Sequence, residues 1–269
     1  MKQSERRIFL IKSLLQERTE YRDISISADT EQQKQLLRAL MNVRAPQQIG
    51  TEFLRIQDEY LQYEIAAKGI TDVAELTSVQ QGIYLWQGDI TTLKCDAVVN
   101  AANSGMTGCY IPNHRCIDNA IHTFAGMQLR LICDNLMEQQ GYPEPAGSAK
   151  ITPAFNLPSR YVLHTVGPVI SGKVKKHERE LLASCYRSCL ELAAENKLES
   201  VAFCCISTGE FHFPNELAAE IAVQSVKKFF RLQTGVKKVI FNVFKDLDKN
   251  IYQKLLGANY AFASRTAGM

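Results

Sequence analysis

No stretch of the 269 residues reaches about 18 consecutive apolar side chains, which excludes a membrane-spanning helix. A large charge of one sign is missing too. The net charge of +3 suits an anionic ligand but falls short of the clustered basic stripe that nucleic-acid binding wants. Internal repeats and low-complexity segments are absent, so a solenoid or a disordered linker is not expected. The short apolar patch at residues 8–11 is broken by Lys12 and has no small-residue cleavage site after it. It reads as an amphipathic helix, not an export signal. The cysteines (Cys95, Cys109, Cys116, Cys133, Cys185, Cys189, Cys204 and Cys205) sit mostly inside apolar runs, where a free thiol packs as a small hydrophobe. A chain of this length buries most of its unfolded surface without disulfides. With 46% hydrophobic and 22% charged residues, the expectation is a globular protein in a reduced, cytoplasmic setting.

Residues 1–75 read as a helical N-terminal extension. Leu36, Leu37, Leu40 and Met41 pair at i, i+3 and i, i+4, and Phe53, Ile56 and Tyr60 fall on one helical face. Glycine and proline are scarce there, and strand-like alternation is confined to the surroundings of Ile24 and Ile26. Asp29 and Thr30, ahead of Glu31, Gln32 and Gln33, mark a helix start. The extension looks like a cap leaning on a larger body, without a legible function. Over residues 76–269 the texture changes. Short apolar runs at 83–86 and 97–100, and β-branched or aromatic runs at 161–166, 201–206 and 238–244, alternate with helical stretches at 117–140, 178–196 and 215–231. Apolar strands alternating with amphipathic helices predict an α/β fold whose sheet is covered on both faces.

Ligands of such sheets bind where strands run into loops, and three junctions stand out: Gly88-Asp89-Ile90-Thr91, Asn100-Ala101-Ala102-Asn103-Ser104, and Ile206-Ser207-Thr208-Gly209-Glu210-Phe211. Between the second and the following helix lie Cys109, His114 and Cys116. Thiolate and imidazole are preferred zinc ligands, and three of them leave one tetrahedral position open, as catalytic sites do. Two buried cysteines and a loop histidine is the plainer alternative, and spacing alone weighs the two evenly. The glycine and small hydroxyl residues of 207–211 let backbone amides approach an anion. Taken singly, though, this segment is better read as a plain turn. The lysine of a nucleotide-hydrolase phosphate loop is lacking, and so is the full dinucleotide fingerprint. Asp89 and Asn103 have ordinary turn or capping readings. His122 lies on the helix after the metal-type segment, His164 reads as a hydrogen-bonded core residue, His177 as solvated and His212 as peripheral.

In this order, Gly88-Asp89-Ile90-Thr91, Asp96-Ala97-Val98-Val99-Asn100-Ala101-Ala102-Asn103, Asp118-Asn119-Ala120-Ile121-His122, His164-Thr165-Val166-Gly167-Pro168 and Ile206-Ser207-Thr208-Gly209 resemble the macrodomain family. Ordinary hydrolytic members carry a glycine-rich stretch where this chain has Cys109-Tyr110-Ile111-Pro112-Asn113-His114-Arg115-Cys116, a departure similar to the zinc-containing bacterial subgroup. The resemblance implies a three-layer α/β/α macrodomain with a mixed central sheet and an ADP-ribose cleft. By the same resemblance Asp89 would accept from the adenine amino group and the Ile90 amide would donate to a ring nitrogen. Ser207, Thr208, Gly209, Glu210 and Phe211 would wrap the pyrophosphate. Cys109, His114 and Cys116 would hold one Zn2+ beside the distal ribose, with Cys116, Ile117 and Asp118 lining it. Asn103 and Asp118 would be catalytic, Asn103 fixing the ribose and Asp118 orienting or deprotonating water. The implied reaction is zinc-dependent removal of mono-ADP-ribose from protein side chains by cleavage at C1″, with ADP-ribose as product. The subgroup also suggests a bacterial stress response pairing a sirtuin-like transferase with a lipoyl-carrier protein. The alternatives are a non-catalytic ADP-ribose reader and, less well supported, a zinc-knuckle nucleic-acid module. Residues 105–120 lack the aromatic and basic interleaving that the latter needs.

Overall fold

Strands that are apolar on both faces can lie only inside a doubly covered sheet. The computed structural model, which describes residues 1–257, builds that sheet. In chain order its strands are β1 (Thr71–Asp72), β2 (Ile83–Gln87), β3 (Leu93–Lys94), β4 (Ala97–Ala102), β5 (Ala149–Pro153), β6 (Tyr161–Val166), β7 (Ser200–Phe203) and β8 (Lys238–Val243). Its helices are α1 (Gln3–Gln16), α2 (Thr30–Val43), α3 (Thr51–Lys68), α4 (Ile117–Ala125), α5 (Met127–Gln140), α6 (Lys176–Glu195), α7 (Asn215–Phe230) and α8 (Asp246–Leu256). Six strands form one sheet in the order β2-β8-β7-β4-β6-β5, while β1 and β3 make a short parallel pair. All neighbours in the large sheet are parallel except β5, which runs antiparallel to β6. Helices α6, α7 and α8 lie on one face, and α4 and α5, with α3 beside them, on the other. The result is a three-layer α/β/α body with a mixed sheet.

Val98, Val99, Val201 and Ala202 of the two central strands are wholly buried, which accounts for their continuous apolar sequence. Helices α1, α2 and α3 build a second apolar cluster from Leu10, Ile11, Leu37, Leu40, Phe53 and Ile56, and Met127 of α5 closes it against the main body. The helix start at Asp29 is a side-chain cap, with the Gln32 N–H donating to Asp29 Oδ1 at 2.8 Å. Around Ile24 and Ile26 there is no strand.

Several boundaries differ from the sequence reading. The single helix expected over 117–140 is broken at Gly126, whose φ is +98°. A Cβ there would stand 2.7 Å from Gln57 Nε2 of α3, and Gln57 Oε1 instead accepts the Met127 N–H at 2.9 Å. A side chain from the extension therefore occupies the break. The strand expected over 201–206 leaves its ladder after Phe203, because the chain then turns toward Ser207. Strand β5 was not foreseen. It is a half-exposed edge strand ending in Pro153, and such strands carry little periodic signal.

Candidate active site

The parallel strands all end at the same edge of the sheet, and the loops that leave them carry most of the expected site residues. Beyond β2, Asp89 caps a short turn, Oδ1 accepting from the Thr91 N–H (3.0 Å) and hydroxyl (2.6 Å). Its other oxygen faces Lys68 Nζ at 2.9 Å, from the end of α3. Burial works against ionisation of Asp89, but Thr91 and Lys68 outweigh it and hold the carboxyl below its ordinary range. Ile90 is buried behind it.

Beyond β4, Asn103 folds back on its own loop. Its Oδ1 accepts the Gly105 N–H (2.9 Å), and its Nδ2 donates to the Gly108 carbonyl (3.1 Å) and to Asp118 Oδ2 (3.1 Å). The other Asp118 oxygen accepts from Nδ2 of Asn100, inside β4, at 2.8 Å. Asp118 is thus gripped through both oxygens by asparagines of one strand and its loop. Burial pushes its carboxyl up to about 6, against the opposing pull of Asn100, the charge of Arg130, and Asn103. His122 Nε2 lies 3.6 Å from Asp118 Oδ1, too far for a hydrogen bond. Burial drives that imidazole well below its ordinary range, so it is neutral and forms no ion pair. His164, wholly buried, faces Asn100 Nδ2 (3.2 Å) and Thr152 Oγ1 (2.9 Å), which agrees with a core role.

Cys109, His114 and Cys116 point at one another, their donor atoms all within 4.8 Å. Cys109 Sγ stands 3.5 Å from His114 Nδ1, and the sulfur–nitrogen edge of a tetrahedral zinc site is about 3.6 Å for ordinary bond lengths. His114 Nε2 looks the other way, 3.6 Å from Glu210 Oε1, the outward carboxylate partner that metal-bound histidines commonly have. Cys116 is the N-cap of α4, its sulfur accepting the Asn119 N–H at 3.4 Å. Burial and the neighbouring Cys109 push the Cys116 thiol up to about 12, so it would give up its proton only to a bound cation. Donor chemistry and spacing fit zinc. A further group of possible donors, His122, Cys133 and His164, is buried behind Asp118.

Beyond β7, Ser207 takes a positive φ of 64°, which turns the chain sharply. Gly167 makes room for it: a Cβ at that position would stand 2.0 Å from Ser207 Oγ. His212 N–H closes on the Gly209 carbonyl and Phe213 N–H on that of Ser207, while the N–H groups of Thr208, Gly209, Glu210 and Phe211 take no part in the turn's backbone hydrogen bonds. Successive free amides around a left-handed residue make an anion cradle. The His114–Glu210 contact places this cradle against the Cys109–Cys116 loop. Sequence reasoning assigned no role to Asn100, Arg130 or Arg38. An asparagine in an otherwise apolar strand was the one available signal for Asn100.

Free backbone amides, a clamped carboxylate and a thiol–imidazole trio thus lie together at the carboxyl ends of the strands, where sheets of this kind bind their ligands. Comparison sharpens this. The family model described as "Macro domain" matches residues 99–222. A protein of Treponema medium named protein-ADP-ribose hydrolase is 57% identical over 95% of this chain and 100% of its own length. One of the same name from Staphylococcus aureus (strain MSSA476) is 46% identical over 91% of this chain and 93% of its own. Among solved structures, the Trypanosoma brucei macrodomain in complex with ADP-ribose superposes with a TM-score of 0.64 at 28% identity, covering 81% of this chain and 95% of that one. The Oceanobacillus iheyensis macrodomain with ADP gives a TM-score of 0.61 at 35% identity, over 68% of this chain and 94% of that one. The chain belongs to the macro domain family.

Proposed function

We propose that this chain is a protein-ADP-ribose hydrolase, removing mono-ADP-ribose from modified side chains by cleaving at C1″ of the distal ribose. The observation that carries this reading is Asp118, which Asn100 and Asn103 fix through both oxygens two positions beyond Cys116. Two relatives named for that activity, matched over nearly all of their length, support it.

In this reading Asp89 and the Ile90 amide take the adenine, and the amides of Ser207, Thr208, Gly209, Glu210 and Phe211 cradle the pyrophosphate. Ile117 and Cys116 line the distal ribose, and Asn103 fixes it. Cleavage builds positive character on the sugar ring as the side chain leaves. The Asp118 carboxylate then stabilises that charge, and it orients or deprotonates the incoming water. Because Asn100 and Asn103 hold it before substrate arrives, little reorganisation is needed at the moment of reaction. Cys109, His114 and Cys116 would hold one zinc ion, which supplies Lewis-acid polarisation to a neighbouring oxygen when bound.

Among the described residues no helix is long and apolar enough to cross a membrane. All eight cysteines are free, and a reducing, cytoplasmic setting suits the two metal-type thiols. The test is to incubate zinc-loaded protein with carriers ADP-ribosylated at defined acidic, serine or arginine side chains and to measure the ADP-ribose released. A lipoyl-carrier protein modified by a sirtuin-like transferase, a pairing we place in a bacterial stress response, is the first natural carrier to try. Release from at least one linkage is expected. Tight binding of ADP-ribose with no release from any carrier would make the protein a reader.

A further inference from the structure

The loop carrying Cys109, His114 and Cys116 has no helix or strand of its own, so its shape is imposed from outside. Much of that imposition comes from α2 of the N-terminal extension. Arg38 donates from Nη2 to the His114 carbonyl at 3.0 Å, and from Nη2 and Nε to Asn119 Oδ1 at 2.8 and 3.2 Å. Asn119, wholly buried, passes the grip on. Its Nδ2 donates to the carbonyls of Ile111 (3.1 Å) and Cys109 (3.5 Å), and its backbone N–H to Cys116 Sγ. Arg38 and Asn119 between them therefore reach every member of the trio, Asn119 through both its side-chain amide and its backbone N–H. One turn along α2, Asn42 is 2% exposed; it accepts the Asn113 N–H at 3.0 Å and donates to Thr123 Oγ1 at 2.9 Å. Asn113 has a φ of 55°, in the left-handed region that a side chain disfavours, and the bond that its N–H donates to Asn42 Oδ1 holds it there.

We infer that α2 is a working part of the metal site: Arg38 and Asn42 are positioning residues that preset the 109–116 loop to receive the ion. This gives the extension a role in the chemistry, and it rests on the reading of the trio as a zinc site. An unsupported loop would lose backbone freedom on closing around an ion, and the α2 contacts meet part of that ordering in advance. Partners behind the ligands commonly change metal affinity by about 10–100-fold.

The experiment is a zinc titration of the full-length protein against a chromophoric chelator, for the parent and for Arg38→Met, Arg38→Lys, Asn42→Ala and Cys116→Ala. Melting temperature and hydrogen exchange at the Asn113 amide are followed in the zinc-free chains. Folded Arg38→Met and Asn42→Ala should bind zinc about 10–100-fold more weakly and need correspondingly more zinc for half-maximal turnover. Arg38→Lys keeps the charge but loses the planar fork that serves two acceptors, and should resemble Arg38→Met. If Arg38→Met does not fold, Arg38→Lys decides for that position. The Asn113 amide should exchange faster in Asn42→Ala even without zinc. A parent that binds no more tightly than Cys116→Ala overturns the metal reading and this inference with it. A tight-binding parent matched by the folded Arg38 and Asn42 variants overturns this inference alone.

Discussion

Asn100, inside the central strand β4, donates to Asp118 Oδ1 across 2.8 Å, and the sheet thereby aims the carboxylate on which the proposed chemistry depends. Asp118→Asn keeps the size of the side chain and removes its charge. Turnover should fall by about 10²–10⁴-fold, the usual share of a general acid or base, with ADP-ribose affinity nearly unchanged. Asn100→Ala should fall between that variant and the parent. Equal turnover by parent and Asp118→Asn in a single-turnover assay would remove the carboxylate from the mechanism.

Cys116→Ala deletes a member of the trio that also caps α4. Metal analysis should show about one zinc per parent chain and none in the variant, with turnover abolished in step. A chelator should silence the parent, and added zinc should restore it. Full activity in a variant shown to be zinc-free would take the metal out of the reaction.

Gly167→Ala puts a methyl group where Ser207 Oγ stands, at 2.0 Å, and 2.9 Å from Ile206 Cγ2. Overpacking of this kind typically costs about 1–3 kcal/mol. We expect it as weaker ADP-ribose binding by calorimetry, because the segment that must shift is the anion cradle. Unchanged affinity would show that the cradle does not hold the ligand.

Asp96 ties β4 to β7, its Oδ2 accepting the Glu199 N–H (2.9 Å) and the Ser200 N–H (3.0 Å). Burial works against its ionisation, but the bonds from Glu199 and Ser200 and the Arg160 guanidinium outweigh it and lower the pKa below the ordinary carboxylate range. A lowered folded-state pKa contributes stability that is fully present above the unfolded value, near 3.9, and is lost as pH falls through the folded one. Asp96→Asn should therefore cost about 1–3 kcal/mol near neutral pH and less in acid. Urea midpoints measured from pH 2 to pH 7 check this; parallel curves for parent and variant would refute it.

The chain's local spacing carried a good deal. Apolar runs alternating with amphipathic helices dictated an α/β body, since a strand apolar on both faces has nowhere else to go. Cys109, His114 and Cys116 are close enough in sequence for their donors to meet within one loop, and their side chains do converge. Asp29 capped its helix where the local pattern placed it. What spacing could not carry was every contact between distant segments. The helix break at Gly126 exists because Gln57, from another helix, fills it. Asn100 and Asp118 are 18 positions apart, Arg38 and His114 76 apart, and nothing in the periodicity of either segment names its partner. Local patterning was enough for the layers and for the apolar strands between them, and it set Cys109, His114 and Cys116 within one loop. Which asparagines clamp Asp118, and that α2 grips the 109–116 loop, follow from how the layers stack, a relation that no local pattern encodes.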